Sequence, residues 1–281
     1  MVIDKSCPLS LHTTIHLGGL CEGYFPETET EMISLVSEFE TNGTPYRVVG
    51  RMSNILPTDQ RAQQKVIFTE KLNHVLFKGR EIHLSCGVRF SRIIHALYKD
   101  KKVFYPSLIG IPGLVGGMIC QNASCFGDEI SSNFLFAKVY SVRDGEILLL
   151  NREDMKFLYR SSLLKERNYV LLNASFSVFD GDATQTIQNA VRKRKLSMPE
   201  GPSLGSVFLR SNDQSIGYLL DRLGQKGRTF GGIAVSSRHA GVLINTGNGT
   251  AREYKDAVRN LQMLIQTNFG FIPDCEIEYL N

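Results

Sequence analysis

The sequence predicts an α+β fold built from more than one compact piece, and three observations carry that expectation. The first fifty residues read as strand, helix and strand. The middle of the chain is a run of short strands closed by tight turns, and the chain beyond residue 197 gathers around one long capped helix. At 281 residues, with 42% hydrophobic and 21% charged side chains, the chain is long enough for two or three packed units, or one large domain, of an ordinary globular protein.

In the opening segment, Thr28 and Glu31 have capping-box spacing, and Met32, Leu35, Val36 and Phe39 then share one helical face. Asn42-Gly43 supplies the stop, and Tyr46 to Val49 is a short apolar strand. The loop Gly50-Arg51-Met52-Ser53-Asn54 follows at the carboxyl end of that strand, where α/β units tend to hold ligands. From Lys65 to Cys86 the pattern is short strands with a turn at Lys78-Gly79-Arg80. Ser91 to Lys99 carries Ile93, Ile94, Leu97 and Tyr98 at helical spacing. Arg143-Asp144-Gly145 joins two apolar runs, Ala137 to Val142 and Glu146 to Leu150, as a hairpin. Val170 to Val178 is a further strand, and Thr184 to Lys195 a polar helix ending in Arg192-Lys193-Arg194-Lys195.

Pro199, Gly201 and Pro202 then punctuate the chain and set a domain boundary near residue 197. Beyond it, Thr250 and Glu253 begin a helix to Asn268, with Ala257, Val258, Leu261, Leu264 and Ile265 facing inward. Gly270 ends that helix, and Glu276 to Leu280 makes a closing strand with Glu276 and Glu278 on one face.

Composition excludes several function classes. A formal charge of +4 with no block of five or six Lys/Arg gives no footprint for nucleic acid. No stretch of 18 apolar residues predicts a membrane span, and the N-terminal residues lack the basic-then-apolar layout of a secretory signal. The six cysteines form no CxxC pair and no ligand-like cluster with the six histidines. They read as reduced core thiols of a cytoplasmic protein. Nothing in the sequence points to oligomerisation, and a monomer is the expected state.

Several segments carry candidate chemistry. Gly110-Ile111-Pro112-Gly113-Leu114-Val115-Gly116-Gly117 has four glycines in eight residues, a pattern that lets backbone N–H groups approach a pyrophosphate. The spacing is neither GxGxxG nor a Walker loop, and a buried glycine turn without a ligand fits it equally. In Tyr159-Arg160-Ser161-Ser162, an arginine beside an aromatic offers its fork to a carboxylate or takes part in a surface ion pair. Ser206, after Gly205, is either an exposed proton donor or an ordinary cap. No GxSxG elbow is present. His239 reads as structural rather than catalytic.

Taken in order, these pieces resemble the UDP-N-acetylenolpyruvoylglucosamine reductases, also called UDP-N-acetylmuramate dehydrogenases. The likeness covers nearly the whole chain. It runs from His12-Thr13-Thr14-Ile15 and Gly18-Gly19 through Gly50…Ser53-Asn54, the Gly110–Gly117 run with Asn122, Tyr159-Arg160-Ser161-Ser162, and Pro202-Ser203…Gly205-Ser206-Val207-Phe208. It ends with Gly232…Val235-Ser236…His239-Ala240 and Glu276-Ile277. The length is similar to the shorter of the family's two forms.

The resemblance implies a two-lobed FAD-binding module of the vanillyl-alcohol oxidase type over residues 1–60 and 61–196, and a smaller substrate-binding domain over 197–281. It implies non-covalent FAD, NADPH as co-substrate, a nucleotide-sugar substrate, and no membrane insertion. FAD contacts would come from Gly50, Arg51, Ser53, Asn54, Gly110, Ile111, Pro112, Gly113, Gly116, Gly117 and Asn122. Arg160 and Glu276 would act on the enolate-like intermediate formed by hydride addition to C3, and Ser206 would donate a proton to C2. Glu278 is the fallback for Glu276.

The chain also departs from the family pattern. Arg51-Met52 stands in a loop that usually reads Gly-x-Gly-Ser-Asn, and Asn122-Ala123-Ser124-Cys125-Phe126-Gly127 replaces Asn-Ala-Gly-Ala-Tyr-Gly. Leu196-Ser197-Met198 stands where Lys-Gln-Pro is usual. Two other readings accommodate these changes: a related FAD-dependent oxidoreductase with another acceptor, and a flavin-free, non-catalytic relative.

Overall fold

Thr28 caps the first long helix, Glu29–Thr41, as its spacing predicts: its hydroxyl accepts the Glu31 N–H at 3.1 Å. The Glu31 carboxylate reaches one residue further back than a full box requires, to the Glu27 N–H at 2.8 Å. Met32, Leu35, Val36 and Phe39 are the buried residues of this helix, the face that the 3.6-residue period selects. The computed structural model describes residues 1–199, 201–211 and 214–281, and these form two units.

The first unit comprises Met1–Asp4, Gly23–Arg51 and Lys65–Lys193. In it, Lys65–Phe68 pairs in parallel with Tyr46–Val49 on one side and with Gly23 and Tyr24 on the other. An antiparallel sheet runs in the order Glu146–Asn151, Phe134–Ser141, Tyr169–Ser177, Glu81–Ser85, Val75–Lys78. The hairpin expected at Arg143-Asp144-Gly145 is present, and the turn expected at Lys78-Gly79-Arg80 closes a second one; Gly145 and Gly79 turn them at φ of 71° and 62°. Glu29 ties the helix to the antiparallel sheet through Asn173 Nδ2 at 2.6 Å and an ion pair with Lys138. One core lies beneath, and Phe90, Phe104, Tyr105 and Phe176 meet there edge-on or tilted.

The second unit comprises Lys5–Glu22, Met52–Gln64 and Arg194–Asn281. A four-stranded antiparallel sheet, in the order Ser203–Ser206, Val242–Asn245, Ile233–Val235, Thr229–Phe230, packs with the helices Ile216–Arg222 and Ala251–Phe269. The long helix has the full capping box between Thr250 and Glu253, and Gly270 ends it at φ 81°. Ala257, Val258, Leu261 and Ile265 are buried as the sequence predicts, while Leu264 is partly buried.

This division differs from the expected boundaries at residues 60 and 196, and side-chain hydrogen bonds explain the difference. Asp59 accepts the N–H groups of Ala251 and Arg252 at 2.7 and 3.0 Å, placing a carboxylate at the start of the long helix. Thr14 donates to the Ser203 carbonyl at 2.6 Å, and Asn245 donates to the Ile15 carbonyl at 3.1 Å. Ile15, Leu17 and Leu56 lie in the core of the second unit. Two early segments thus fold with the C-terminal residues.

The closing strand is shorter than expected. Glu278–Leu280 pairs in parallel with Ile55–Pro57, while Glu276 lies in a bend before it. The two carboxylates therefore do not alternate along a single strand.

Candidate active site

The glycine-rich segment of the first unit is a scaffold as much as a nest. The Gly110 N–H donates to the Ser91 hydroxyl at 2.9 Å, Ile111 N–H to the Leu108 carbonyl at 3.2 Å, Val115 N–H to Val88 at 2.9 Å, and Gly116 N–H to Cys86 at 2.8 Å. Those four donors hold the segment against the strand and helix before it. Gly113 is glycine because of packing: a Cβ there would lie 2.7 Å from the Met118 sulfur. Gly117 is different. It is exposed, a Cβ on it would meet nothing within 4 Å, and it is the third residue of the short helix Val115–Cys120, whose first-turn donors lack partners inside the helix. Pro112 is exposed beside it in sequence. The Cβ position of Gly50 lies 3.5 Å from Leu114, so the strand-end loop and the glycine-rich segment meet. Gly50 and Arg51, both partly exposed, belong to this unit. Open space at Gly117, a glycine approach at Gly50 and a nearby arginine fit a bound pyrophosphate.

Asn122 holds the protein together rather than offering its amide outward. It is 2% exposed with φ 39°. Its Nδ2 donates to Glu129 Oε1 at 2.6 Å and to the Leu158 carbonyl at 3.0 Å, while Oδ1 accepts the Ser131 N–H at 3.3 Å. Leu158 opens the turn that presents Arg160, and it exchanges both backbone hydrogen bonds with Ser161, at 3.0 and 3.1 Å. Arg160 itself has φ 53°, in the left-handed region. A non-glycine residue there is strained by about 1–2 kcal/mol and is held by its surroundings. Its guanidinium lies over the Tyr159 ring, 5.6 Å from the centroid, and Nη1 donates to Ser124 Oγ at 3.0 Å. This arginine is half-buried and braced on an aromatic and a hydroxyl.

In the second unit, Ser206 ends a strand with an irregular register. Ser203 faces Ile244 and Ser206 faces Val242, so three steps on one strand match two on the other. The extra residue is a bulge, with Gly205 at φ 76°, a device that re-aims the side chain beside it. Directly after it, the Val207 carbonyl accepts the Glu276 N–H at 2.8 Å, and the Leu209 N–H donates to the Asp274 carbonyl at 2.9 Å. Glu276 is thereby pinned alongside the Ser206–Val207 segment. Asn54 grips the other side of the same backbone: its Nδ2 donates to the Glu276 carbonyl at 2.9 Å, and its own carbonyl accepts the Glu278 N–H at 2.9 Å. Ser53 and Asn54 thus share a unit with two of the three expected catalytic residues. Arg160 belongs to the other unit.

Met52 occupies the middle of the strand-end loop with φ 42° and is only 2% exposed. The Thr13 hydroxyl donates to its carbonyl at 3.1 Å. His239, expected to be structural, accepts the Gly241 N–H on Nδ1 at 3.1 Å, and burial holds its pKa below the ordinary histidine value.

Comparison with known proteins follows the same geography. A UDP-N-acetylenolpyruvoylglucosamine reductase from Streptococcus mutans is 32% identical over 278 residues, covering 97% of this chain and 90% of the relative. The chain belongs to the UDP-N-acetylenolpyruvoylglucosamine reductase family. A relative of the same name from Lactococcus lactis subsp. cremoris is 30% identical over 286 residues, covering 100% of this chain and 95% of its own. Two family models match separate parts: an FAD binding domain over residues 24–151, and the C-terminal domain of the reductase over 197–280. The crystal structure of the Thermus caldophilus reductase shares the fold, with a TM-score of 0.86, 24% identity and full coverage of both chains. The α+β fold expected from the sequence is the fold of this family.

Two features of the site were not legible in the sequence. The Ser124–Arg160 hydrogen bond spans 36 residues, and Glu129 had no motif around it, although its carboxylate organises Asn122 and Ser131. Among the described residues, no group of His, Cys, Asp and Glu side chains is arranged to hold a metal ion, and no helix is long and apolar enough to cross a membrane.

Proposed function

We infer that this family member reduces UDP-N-acetylglucosamine enolpyruvate to UDP-N-acetylmuramate, with NADPH as reductant, as a step in peptidoglycan precursor synthesis. FAD, when bound, would supply the hydride chemistry that links NADPH to C3 of the enolpyruvyl group. Gly50, Arg51 and Gly117 are the residues of the first unit best suited to its pyrophosphate, by open backbone approach and positive charge.

The chain's own residues manage the charge that hydride addition creates. Negative charge accumulates at C2 and its carboxylate, and an oriented guanidinium is the strongest side-chain partner for such a group. Arg160 takes that role, which fits its left-handed backbone and its braced guanidinium. Ser206 donates its proton to C2. A serine hydroxyl is a weak acid, but the carbanion-like centre is far more basic, so the transfer runs downhill, and solvent restores the proton. A positioned proton donor contributes roughly 10²–10⁴-fold. Glu276 is assigned to the same reaction beside Ser206, and the observation that supports this best is the 2.8 Å bond from its N–H to the carbonyl of Val207, next to Ser206. None of the six cysteines is in a disulfide, in keeping with a reducing compartment, and we assign the reaction to the cytoplasm.

The test is spectroscopic. Protein loaded with FAD is bleached by NADPH under anaerobic conditions, then mixed with the enolpyruvyl UDP-sugar. Rapid return of the yellow oxidised spectrum is expected. A flavin that stays bleached, while oxygen restores it, rejects this substrate.

A further inference from the structure

We propose that Ser124 is a positioning residue for Arg160, sharpening the transfer from reduced flavin to substrate through a hydrogen bond from the arginine to its hydroxyl. The proposal rests on the assignment of Arg160 to the substrate carboxylate. Ser124 stands in the segment Asn122-Ala123-Ser124-Cys125-Phe126-Gly127. The structure gives its side chain a partner: Oγ accepts from Arg160 Nη1 at 3.0 Å, whereas the Ser124 carbonyl lies 3.4 Å from the same nitrogen. Without the hydroxyl, residue 124 would offer the arginine only its carbonyl, at the longer distance.

Ser124 is well placed to act as a reference point because it is itself held. It pairs with Glu129 across the small hairpin of Ser124–Cys125 and Asp128–Glu129. The Glu129 carboxylate accepts from both Asn122 Nδ2 and Ser131 Oγ at 2.6 Å. Asn122 then donates to the Leu158 carbonyl at 3.0 Å, at the entrance of the turn that carries Arg160. The same two chain segments are therefore joined twice, once at the backbone of the turn and once at the guanidinium. An arginine side chain has several rotatable bonds. Fixing one nitrogen of a planar fork sets the directions of all its N–H groups, which is what bidentate capture of a carboxylate demands. A hydroxyl on Nη1 leaves the positive charge intact, so orientation improves without loss of electrostatic attraction.

The experiment uses FAD-loaded protein and separates the two half-reactions by stopped-flow: flavin reduction by NADPH, and flavin reoxidation by the enolpyruvyl UDP-sugar. Ser124→Ala and Ser124→Gly are expected to slow reoxidation relative to reduction by roughly tenfold, the scale of one charge-assisted hydrogen bond. Ser124→Thr, which keeps the hydroxyl, is expected to stay within about twofold of the parent ratio, since the bond survives. In an Arg160→Ala background, Ser124→Ala is expected to add no further loss, because its effect passes through the arginine. If Arg160→Ala slows reoxidation but Ser124→Ala does not, the positioning role is overturned and the reading of Arg160 stands. If Arg160→Ala leaves reoxidation untouched, the reading of Arg160 fails and this proposal with it. Equal slowing of both half-reactions by Ser124→Ala, in either background, assigns Ser124 to general architecture and also overturns the proposal.

Discussion

Replacing Met52 provides a test of the loop's backbone in which the usual order of two residues should invert. At most positions alanine is more stable than glycine by about 0.5–1 kcal/mol, because glycine loses more backbone freedom on folding. Met52 has φ 42°, where any residue with a Cβ is strained by about 1–2 kcal/mol. The family resemblance expects glycine in this loop, and the structure retains a backbone that favours glycine while placing a methionine on it. Both Met52→Ala and Met52→Gly remove a side chain that is only 2% exposed, so both should be destabilised, by about 2–5 kcal/mol for the buried side chain. The informative quantity is the difference between the two variants, in which the lost burial largely cancels. Relief of strain less the entropic penalty leaves Met52→Gly more stable than Met52→Ala by about 0.5–1 kcal/mol. The Thr13 hydroxyl donates to the Met52 carbonyl in either variant, so that bond does not discriminate. Urea unfolding at one fixed FAD concentration measures the pair, with equal slopes as the check that compactness is unchanged. An alanine variant as stable as the glycine variant, or more so, would refute the left-handed assignment and the reasoning built on it.

Two further outcomes test separate features. Thr250→Ala removes the cap of the helix Ala251–Phe269 and should destabilise the protein by about 1 kcal/mol in urea unfolding, while Thr250→Ser should recover most of it. His239 titrates below its ordinary value because it is buried, with Lys226 adding to the shift and Asp221 opposing it. The unfolded chain therefore binds a proton more readily, so stability should be full above the unfolded histidine pKa and decline as pH falls toward the folded one. The slope is at most about 1.4 kcal/mol per pH unit for one proton, and less with the ring partly exposed to solvent. Comparing denaturant midpoints at pH 7.5 and 5.5 checks this, and His239→Asn, which keeps an acceptor for the Gly241 N–H, should show a flatter dependence.

Much of the local structure was legible in the chain itself. Thr28 and Thr250 announce their helices, Met32, Leu35, Val36 and Phe39 announce a buried face, Gly79 announces a turn and Gly145 a hairpin. Each of these signals depends on residues two to four positions apart, so a single sequence contains the whole of it. The order of motifs also pointed to the family, because many weak local patterns in one order carry more information than any one of them.

Only the tertiary structure decided where Asp59 belongs: its carboxylate caps a helix that begins 192 residues later. The same is true of Asn54, which grips the backbone of Glu276 across 222 residues, and of Ser124, which braces Arg160. It also decided that Glu276 lies in a bend before the last strand, that a bulge sets Ser206, and that Asn122 turns its amide inward. A hydrogen bond between distant residues leaves no period in the sequence, since any donor and acceptor with the right approach will satisfy it. Helix faces and turns repeat at intervals fixed by backbone geometry. Long-range polar contacts follow from packing, and they come into being only when the chain has closed on itself.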